Sequence, residues 1–139
     1  MLKRFTAIFV FILATVGLST NAQAQSDEIY GFMSWDAAAV QAAIVNGEQV
    51  VVNVWAEWCP SCRAQRKTLH AVLQQNPDAY ADVKVFAINI DDRPRPQQVG
   101  SHRISGSAAR TTLIFFNGGV EVAVYGGQQA GQIADLLSF

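Results

Sequence analysis

The sequence has few of the residues on which several classes of protein depend. Two cysteines among 139 residues are too few for a disulfide scaffold or a zinc ribbon. The chain has ten basic and eleven acidic residues and therefore lacks the excess of positive charge that is typical of nucleic-acid-binding proteins. What the chain does have is apolar residues, which make up 50% of it and suit one domain with a buried core.

The beginning of the chain differs from the rest in its residue pattern. A short basic start precedes a stretch over 5–18 with no charged residue, and Ala22 and Ala24 occupy the two small-residue positions of a cleavage site. This order is typical of a secretory signal peptide, and the stretch is shorter than the roughly 20 residues of a membrane-spanning helix. We expect a signal peptide over 1–24, a mature domain over 25–139, a periplasmic location and no membrane association after cleavage. A retained anchor is the alternative.

Hydrophobic periodicity along the rest of the chain predicts alternating strands and helices. The predicted strands are 29–32, 49–56, 83–90, 112–116 and 120–125. The predicted helices are 63–75, 130–137 and one from an N-cap at Ser34 to a stop at Gly47, with one more short helix in the polar connection 91–109. Asn117-Gly118-Gly119 predicts a hairpin turn. We therefore expect one α/β domain with a central mixed sheet flanked by helices on both faces.

The two cysteines, Cys59 and Cys62, lie three positions apart. A disulfide that closes so short a loop constrains the unfolded chain little, so the spacing indicates redox chemistry. The pair follows a buried strand and begins a helix, where free N–H groups and the helix dipole favour a thiolate at Cys59. Pro60 suits the first helical turn, and the Pro60-Ser61 pair tunes how many N–H groups face the Cys59 sulfur.

These positions predict a division of roles between the cysteines. Cys59 exchanges with the sulfur of a partner, and Cys62, one helical turn further on and partly covered, resolves the mixed disulfide. We expect no metal and no cofactor other than the Cys59–Cys62 disulfide, and a monomer whose partners are cysteine-containing proteins and an electron-exchange protein. The rival interpretation is a metal- or partner-binding module that uses the same fold without turnover.

Three segments of the chain resemble the thioredoxin superfamily. The run 54–63, which contains Trp58 and both cysteines, is similar to the family's approach to its active site, while 85–91 and 111–119 are similar to its central strand and its hairpin. The resemblance implies a thioredoxin fold and a thiol–disulfide oxidoreductase that acts on protein cysteines. It also places Thr111 beside the active site. Trp58, adjacent to Cys59, is expected on the substrate-facing surface around the active site, and Trp55, at the end of a buried strand, is expected in the core. The Pro-Ser pair and the signal pattern resemble periplasmic members, and a reducing direction is slightly favoured.

Two positions depart from the family in the interior of the domain. Asn53 stands where the family usually has a buried Asp that accepts the proton of the resolving cysteine, and Ala87 stands where a Lys often accompanies it. Asparagine does not take up a proton in this role. If Cys62 needs a base, we expect it to be water, the partner protein or Glu57.

A third departure is at the family's cis-proline. With Thr111 aligned on the Thr that follows this proline, Arg110 takes the proline's place. We expect a trans peptide before Arg110, because a cis bond there costs about 2.5–4 kcal/mol. The hypothesis is that Arg110 favours the Cys59 thiolate and helps to bind substrate; the alternative is that it points to solvent. The proline also tends to keep metals from the cysteine pair, so its absence keeps the metal-binding rival open.

Other polar residues are interpreted as ordinary. His70 lies about 12 Å along the helix from Cys62, and His102 lies in the variable connection, so both are predicted to be surface or boundary residues. Arg63, Arg66 and Lys67 follow Cys62 and are predicted to form a solvated, cationic helix face.

Overall fold

The protein is described by a computed structural model that covers residues 29–92, 96–105 and 111–138. Seven strands lie in these ranges: β1 (Met33–Ser34), β2 (Val50–Trp55), β3 (Lys84–Asn89), β4 (Gln97–Val99), β5 (His102–Ile104), β6 (Thr112–Asn117) and β7 (Val120–Tyr125). The three α-helices are α1 (Ala37–Val45), α2 (Pro60–Gln75) and α3 (Ala130–Leu137). The predicted signal peptide over 1–24 and Arg110 lie outside the described residues.

Five strands form one mixed sheet in the order β1-β3-β2-β6-β7. The strands β1, β3 and β2 are parallel, whereas β6 and β7 run antiparallel. The predicted hairpin turn joins β6 and β7 through Gly118 and Gly119, and Asn117 is the last residue of β6. Helix α1 packs on one face of this sheet and helices α2 and α3 pack on the other. The predicted α/β class, with a central mixed sheet covered on both faces, is confirmed.

The central strand β2 explains why the sheet is buried on both sides. All six of its residues are buried, and successive side chains point to opposite faces. Val51 and Trp55 join the cluster under α2 and α3, whereas Val50, Val52 and Val54 join the cluster under α1. The strand therefore ends between two filled layers, and the chain that follows it emerges at the edge of the core.

The beginning of the described chain differs from the prediction. The edge strand is Met33–Ser34 rather than 29–32, and Ser34 is not the helix N-cap because its backbone pairs with Ala87 of β3. Asp36 caps α1 instead, and its Oδ1 accepts hydrogen bonds from the N–H groups of Ala38 and Ala39 at 2.9 and 3.0 Å.

The connection between β3 and β6 was expected to hold one short helix, and this is only partly right. A 3-10 turn at Ile90–Asp92 is present, but β4 and β5 form an antiparallel ribbon further on. Val99 and Ile104 of the ribbon are buried in the cluster under α1, which fixes the ribbon to the domain. Short strands of this kind carry little hydrophobic periodicity, so the sequence did not reveal them.

The ribbon is also anchored to β7 through its turn. The Glu121 carboxylate accepts hydrogen bonds from Ser101 N at 2.9 and 3.1 Å and from Ser101 Oγ at 2.9 Å, and it lies 3.1 Å from Nε2 of His102. At Gly100 a Cβ atom would come within 2.6 Å of the Phe116 ring and 2.7 Å of Glu121, at a φ of 55°. Glycine is therefore required at this close approach.

In the described part of the chain, no helix combines the length and the apolar character that crossing a membrane requires.

Candidate active site

Cys59 and Cys62 form a disulfide at the beginning of α2. Cys59 is the N-cap of the helix, with φ −94° and ψ 106°, and its Sγ accepts a hydrogen bond from the Cys62 N–H at 3.3 Å. Pro60 is the first helical residue, where its missing N–H leaves no gap in the hydrogen bonding. The helix thus begins three residues earlier than the predicted 63–75. A helix N-terminus that donates to a sulfur is an environment that favours a thiolate.

A short turn carries the chain from the buried strand to the cysteine pair. The N–H of Cys59 donates to the carbonyl of Ala56 at 3.2 Å, and Arg63 N donates to the Cys59 carbonyl at 3.2 Å. The Arg63 guanidinium donates to the Glu57 carbonyl at 2.6 Å, which holds the first helical turn against this segment. Arg63 is exposed as predicted, and so is Glu57.

Both sulfurs are nearly sealed from solvent in the disulfide form. Cys59 is 2% exposed and Cys62 is 0% exposed, so Cys59 is the residue of the pair that keeps some contact with solvent. This order of access fits the predicted roles, in which Cys59 meets the partner and Cys62 acts from inside. The roles themselves stay predictions.

Two hydroxyl groups contact the sulfurs. Thr111 Oγ1 lies 3.2 Å from Cys62 Sγ and 3.5 Å from Cys59 Sγ. The same hydroxyl lies 2.9 Å from Ser61 Oγ, which in turn lies 3.2 Å from Cys59 Sγ. Ser61 and Thr111 were both predicted to surround the active site, and the structure brings them together there. The contact of Thr111 with both sulfurs was not anticipated.

Thr111 has a strained backbone. Its φ is 57°, a left-handed conformation that a β-branched residue rarely adopts and that costs about 1–3 kcal/mol. The neighbouring Gln65 is 2% exposed, and its amide, oriented with the nitrogen toward two carbonyls, donates to Thr111 O at 3.2 Å and to Gly126 O at 3.1 Å. Helix α2 therefore holds the beginning of β6 and the end of β7 in place beside the disulfide.

Trp58 forms part of the surface beside the cysteines. Its side chain is 55% exposed, and Nε1 donates to Asp91 Oδ1 at 3.0 Å. Trp55 is buried at 4%, as expected of the last residue of a core strand. The different environments predicted for the two tryptophans are therefore observed, while contact between Trp58 and a substrate stays a prediction.

Arg66 corrects the prediction of a solvated cationic face on α2. It is 1% exposed, and its guanidinium stacks 3.9 Å from the centroid of the Trp55 ring, with Tyr30 and Phe32 at 5.2 and 5.6 Å. A guanidinium is weakly hydrated and planar, so aromatic rings can receive it inside the domain. Gln65 and Arg66 lie three and four positions after Cys62, which places all three on one helix face. That spacing was the available signal for both buried residues.

Asn53 and Ala87 lie under the active-site helix as neighbours on β2 and β3. Both are buried, and Asn53 is 0% exposed. Within the described residues, neither side-chain atom of the Asn53 amide has a hydrogen-bond partner. This position holds a group that does not ionise, as the sequence indicated.

The two histidines have contacts of a structural kind. His70 Nδ1 lies 3.0 Å from the Tyr30 carbonyl, and its ring meets the Tyr30 ring edge-on. His102 lies in β5, with Nδ1 3.4 Å from the Tyr125 hydroxyl and Nε2 near Glu121. Across the described ranges, no group of three or more His, Cys, Asp or Glu residues is arranged to hold a metal ion.

The fold and the site together define an α/β protein with a helix-capping C-x-x-C disulfide, which is the thioredoxin-fold class. The family model for thioredoxin matches residues 32–138, and the chain belongs to the thioredoxin family. The expected family membership and fold are thereby confirmed.

Individual relatives agree with this assignment. The thiol:disulfide interchange protein DsbE of Tatumella citrea is 31% identical over 88 residues, which are 62% of this chain and 44% of that protein. Thioredoxin of Alicyclobacillus acidocaldarius subsp. acidocaldarius is 36% identical over 107 residues, which are 72% of this chain and 92% of that protein. The crystal structure of Trxlp from Edwardsiella tarda EIB202 aligns with a TM-score of 0.58 at 28% identity, over 78% of this chain and 99% of that one.

The lengths of the relatives differ. The chain spans less than half the length of the DsbE proteins that it matches, but almost the whole length of the thioredoxin from Alicyclobacillus.

Proposed function

We propose that this protein is a thiol–disulfide oxidoreductase that exchanges disulfides with the cysteines of other proteins. Cys59 attacks, or is attacked by, the partner's sulfur, and Cys62 resolves the mixed disulfide. The observation that carries the proposal is the Cys59–Cys62 disulfide at the N-cap of α2, with the Cys62 N–H directed at the Cys59 sulfur. The names of the relatives, interchange protein and thioredoxin, support the same chemistry.

The partner is proposed to be a protein rather than a small thiol because of the surface around Cys59. Trp58 is exposed beside the pair and offers an apolar contact on which another chain can pack. Cys62 is fully buried, so a bulky partner reaches only Cys59. A second protein that exchanges electrons with the pair is part of the proposal.

The test is a trapping experiment with the full chain. The variant Cys62→Ser lacks the resolving sulfur. It is expected to accumulate a mixed disulfide between Cys59 and a protein substrate that contains a disulfide, and mass spectrometry detects this product. The matched variant Cys59→Ser is expected to accumulate none, because Cys62 is buried. Equal trapping by both variants would contradict the assigned roles.

The same preparation tests the rival function. A metal- or partner-binding module would show no disulfide reduction by the native chain and a stoichiometric metal after purification. The direction of electron flow is tested by the redox potential against glutathione. A value near about −270 mV indicates a reductase, which we slightly favour, and one near about −120 mV indicates an oxidant.

The location and the cleaved form are proposed from the N-terminal sequence. We place the mature domain, 25–139, in the periplasm, after removal of a signal peptide over 1–24. N-terminal sequencing of protein recovered from the periplasmic fraction tests this. A mature chain that begins at Met1, or that stays with the membrane, would contradict it.

Arg110 is proposed to favour the Cys59 thiolate and to contact substrate. The test is a thiolate titration of Arg110→Ala, followed by absorbance in the ultraviolet. A titration that is unchanged from the native chain would eliminate the effect on Cys59.

A further inference from the structure

The proposed resolving cysteine is sealed from solvent in the disulfide form. Cys62 is 0% exposed, and Asn53, which is also fully buried under the helix, does not take up a proton. A thiol must lose its proton before it attacks a disulfide, because the thiolate is the nucleophile. The Cys62 proton therefore needs another route out of the interior.

The charged groups around the pair are directed elsewhere. Among the described residues, Arg63 donates to the Glu57 carbonyl, Arg66 stacks on Trp55, and Asp91 accepts from Trp58. Glu57 is exposed at the surface before the helix. What does touch the Cys62 sulfur is the Thr111 hydroxyl, at 3.2 Å.

That hydroxyl is the first member of a continuous path to solvent. Thr111 is 5% exposed and lies 2.9 Å from Ser61 Oγ, and Ser61 is exposed at the beginning of α2. A hydroxyl accepts one proton while it donates its own, so two hydroxyls in contact can pass a proton along. The hydrogen bond from Gln65 to the Thr111 carbonyl helps to hold Thr111 at its strained φ, and with it the position of the hydroxyl.

We propose that Thr111 and Ser61 form a relay that carries the Cys62 proton to solvent when the mixed disulfide is resolved. The inference rests on the proposed function. In this step Cys62 Sγ passes its proton to Thr111 Oγ1, Thr111 passes its own to Ser61 Oγ, and Ser61 passes one to water. The Cys62 sulfur then bonds to Cys59 Sγ, the bond between Cys59 and the partner sulfur breaks, and its electron pair leaves with the partner as a thiolate. The dithiol is oxidised and the partner disulfide is reduced, with no other reactant.

The relay can be measured in isolation with dithiobis-nitrobenzoate. Reduced protein releases one thionitrobenzoate when Cys59 attacks the reagent and a second when Cys62 resolves the product. At high reagent concentration the second release is first-order, and stopped-flow absorbance separates it from the first. Thionitrobenzoate is a good leaving group, so its departure is fast. The rate of the second release therefore reports on the loss of the Cys62 proton.

The decisive variant is Thr111→Val, which keeps the β-branched shape and replaces the hydroxyl with a methyl group. At about pH 6, where an ordinary thiol is protonated, we expect the second release to slow about tenfold or more. At about pH 9.5 an ordinary thiol has already ionised before the reagent is added, so no proton has to leave during the second release, and the variant is expected to match the native chain. Thr111→Ser restores the hydroxyl and is expected to restore the rate, and Ser61→Ala is expected to show the same pH-dependent slowing.

Thr112→Val is the matched control, since Thr112 is equally buried but its side chain points to the opposite face of the sheet. It is expected to leave both releases unchanged. An unchanged second release in Thr111→Val at low pH would overturn the relay. So would a slowing that persists at high pH, which would indicate that Cys62 is displaced. Absence of the first release from the native chain would instead contradict the proposed function itself.

Discussion

The two faces of the central sheet bury different kinds of residue. The face under α1 is filled with aliphatic and aromatic side chains from α1, the sheet and the β4–β5 ribbon, and Thr112 is its one buried polar side chain in the described ranges. The face under α2 and α3 contains the disulfide and, around it, several buried polar residues: Asn53, Gln65, Arg66, Asn89 and Thr111. Burial of a polar group is unfavourable unless the group is paired. The face that carries the disulfide should therefore contribute less to the free energy of folding than the apolar face under α1.

This difference suggests that stability and redox behaviour can be altered separately. Changes under α1 should lower the free energy of unfolding and leave thiol chemistry alone. Changes under α2 should alter the free energy of unfolding, the thiol chemistry or both. The direction should depend on whether the polar group that is changed has a hydrogen-bond partner.

The largest effect is expected from Ile114→Ala on the α1 face. Ile114 is 0% exposed in the cluster with Val52 and Phe86, and truncation leaves a cavity. We expect the free energy of unfolding to fall by about 3 kcal/mol, measured by urea denaturation. Both thionitrobenzoate releases should keep their native rates. A changed second release would show that the two faces are coupled and would break the comparison.

A somewhat smaller loss is expected from Arg66→Lys on the α2 face. Lysine keeps the charge but lacks the plane that stacks on Trp55, and its ammonium is more strongly hydrated. We expect a loss of about 2 kcal/mol in the free energy of unfolding. The control is Arg63→Lys, at an exposed position, where a change within about 0.5 kcal/mol is expected. Equal effects of the two variants would contradict the assigned burial of the charge.

At Asn53 we expect a substitution to stabilise the protein rather than to destabilise it. Leucine keeps the branched shape of the side chain and removes an amide that has no hydrogen-bond partner within the described residues. We expect Asn53→Leu to raise the free energy of unfolding by about 1 kcal/mol, seen as a higher urea midpoint. Destabilisation of similar size would show that the amide is paired in the folded chain.

The smallest effect concerns Glu48, at the periphery of the sheet. Its hydrogen bond with Lys84 is the largest cause that lowers the pKa of this carboxyl from 4.5. A lowered folded-state pKa means that the stabilisation is present above the unfolded value and is lost as the pH falls through the folded value. Glu48→Gln should therefore flatten the dependence of stability on pH just below 4.5, with no effect near neutrality on thiol exchange.

Urea midpoints measured through the acid range, at low and at high salt, test this prediction. The pair is partly exposed, so salt should reduce the difference between the two chains. Parallel pH profiles for the native and variant chains would contradict it.

The architecture of both faces was largely predictable, because it depends on local patterns. The β-branched run that forms β2, the helical spacing in α2 and the Asn117-Gly118-Gly119 sequence at the hairpin are each local signals of one element. The position of Cys59 at a helix N-terminus followed from the strand before it and Pro60 after it. These features required no knowledge of what the elements pack against.

The parts that escaped prediction depend on contacts between distant segments. The spacing from Cys62 places Arg66 on the inner face of the helix, but the rings of Trp55, Tyr30 and Phe32 that receive its guanidinium come from other segments, and no local pattern encodes their convergence. The contact of Thr111 with both sulfurs depends on the positive φ that Gln65 supports. The β4–β5 ribbon is stabilised by Glu121, which is twenty residues from Ser101 along the chain.

The anchored ribbon also affects the chain entropy of the active site. Without it, one long loop would join Asp92 to Thr111. With Gly100 seated against Phe116 and Ser101 bound to Glu121, the connection becomes two shorter loops, and only 105–110 separate the ribbon from Thr111. Closing a loop about three times shorter costs about 1 kcal/mol less in configurational entropy. The ribbon thus shortens the loop that must close when the Thr111 hydroxyl is brought to the sulfurs.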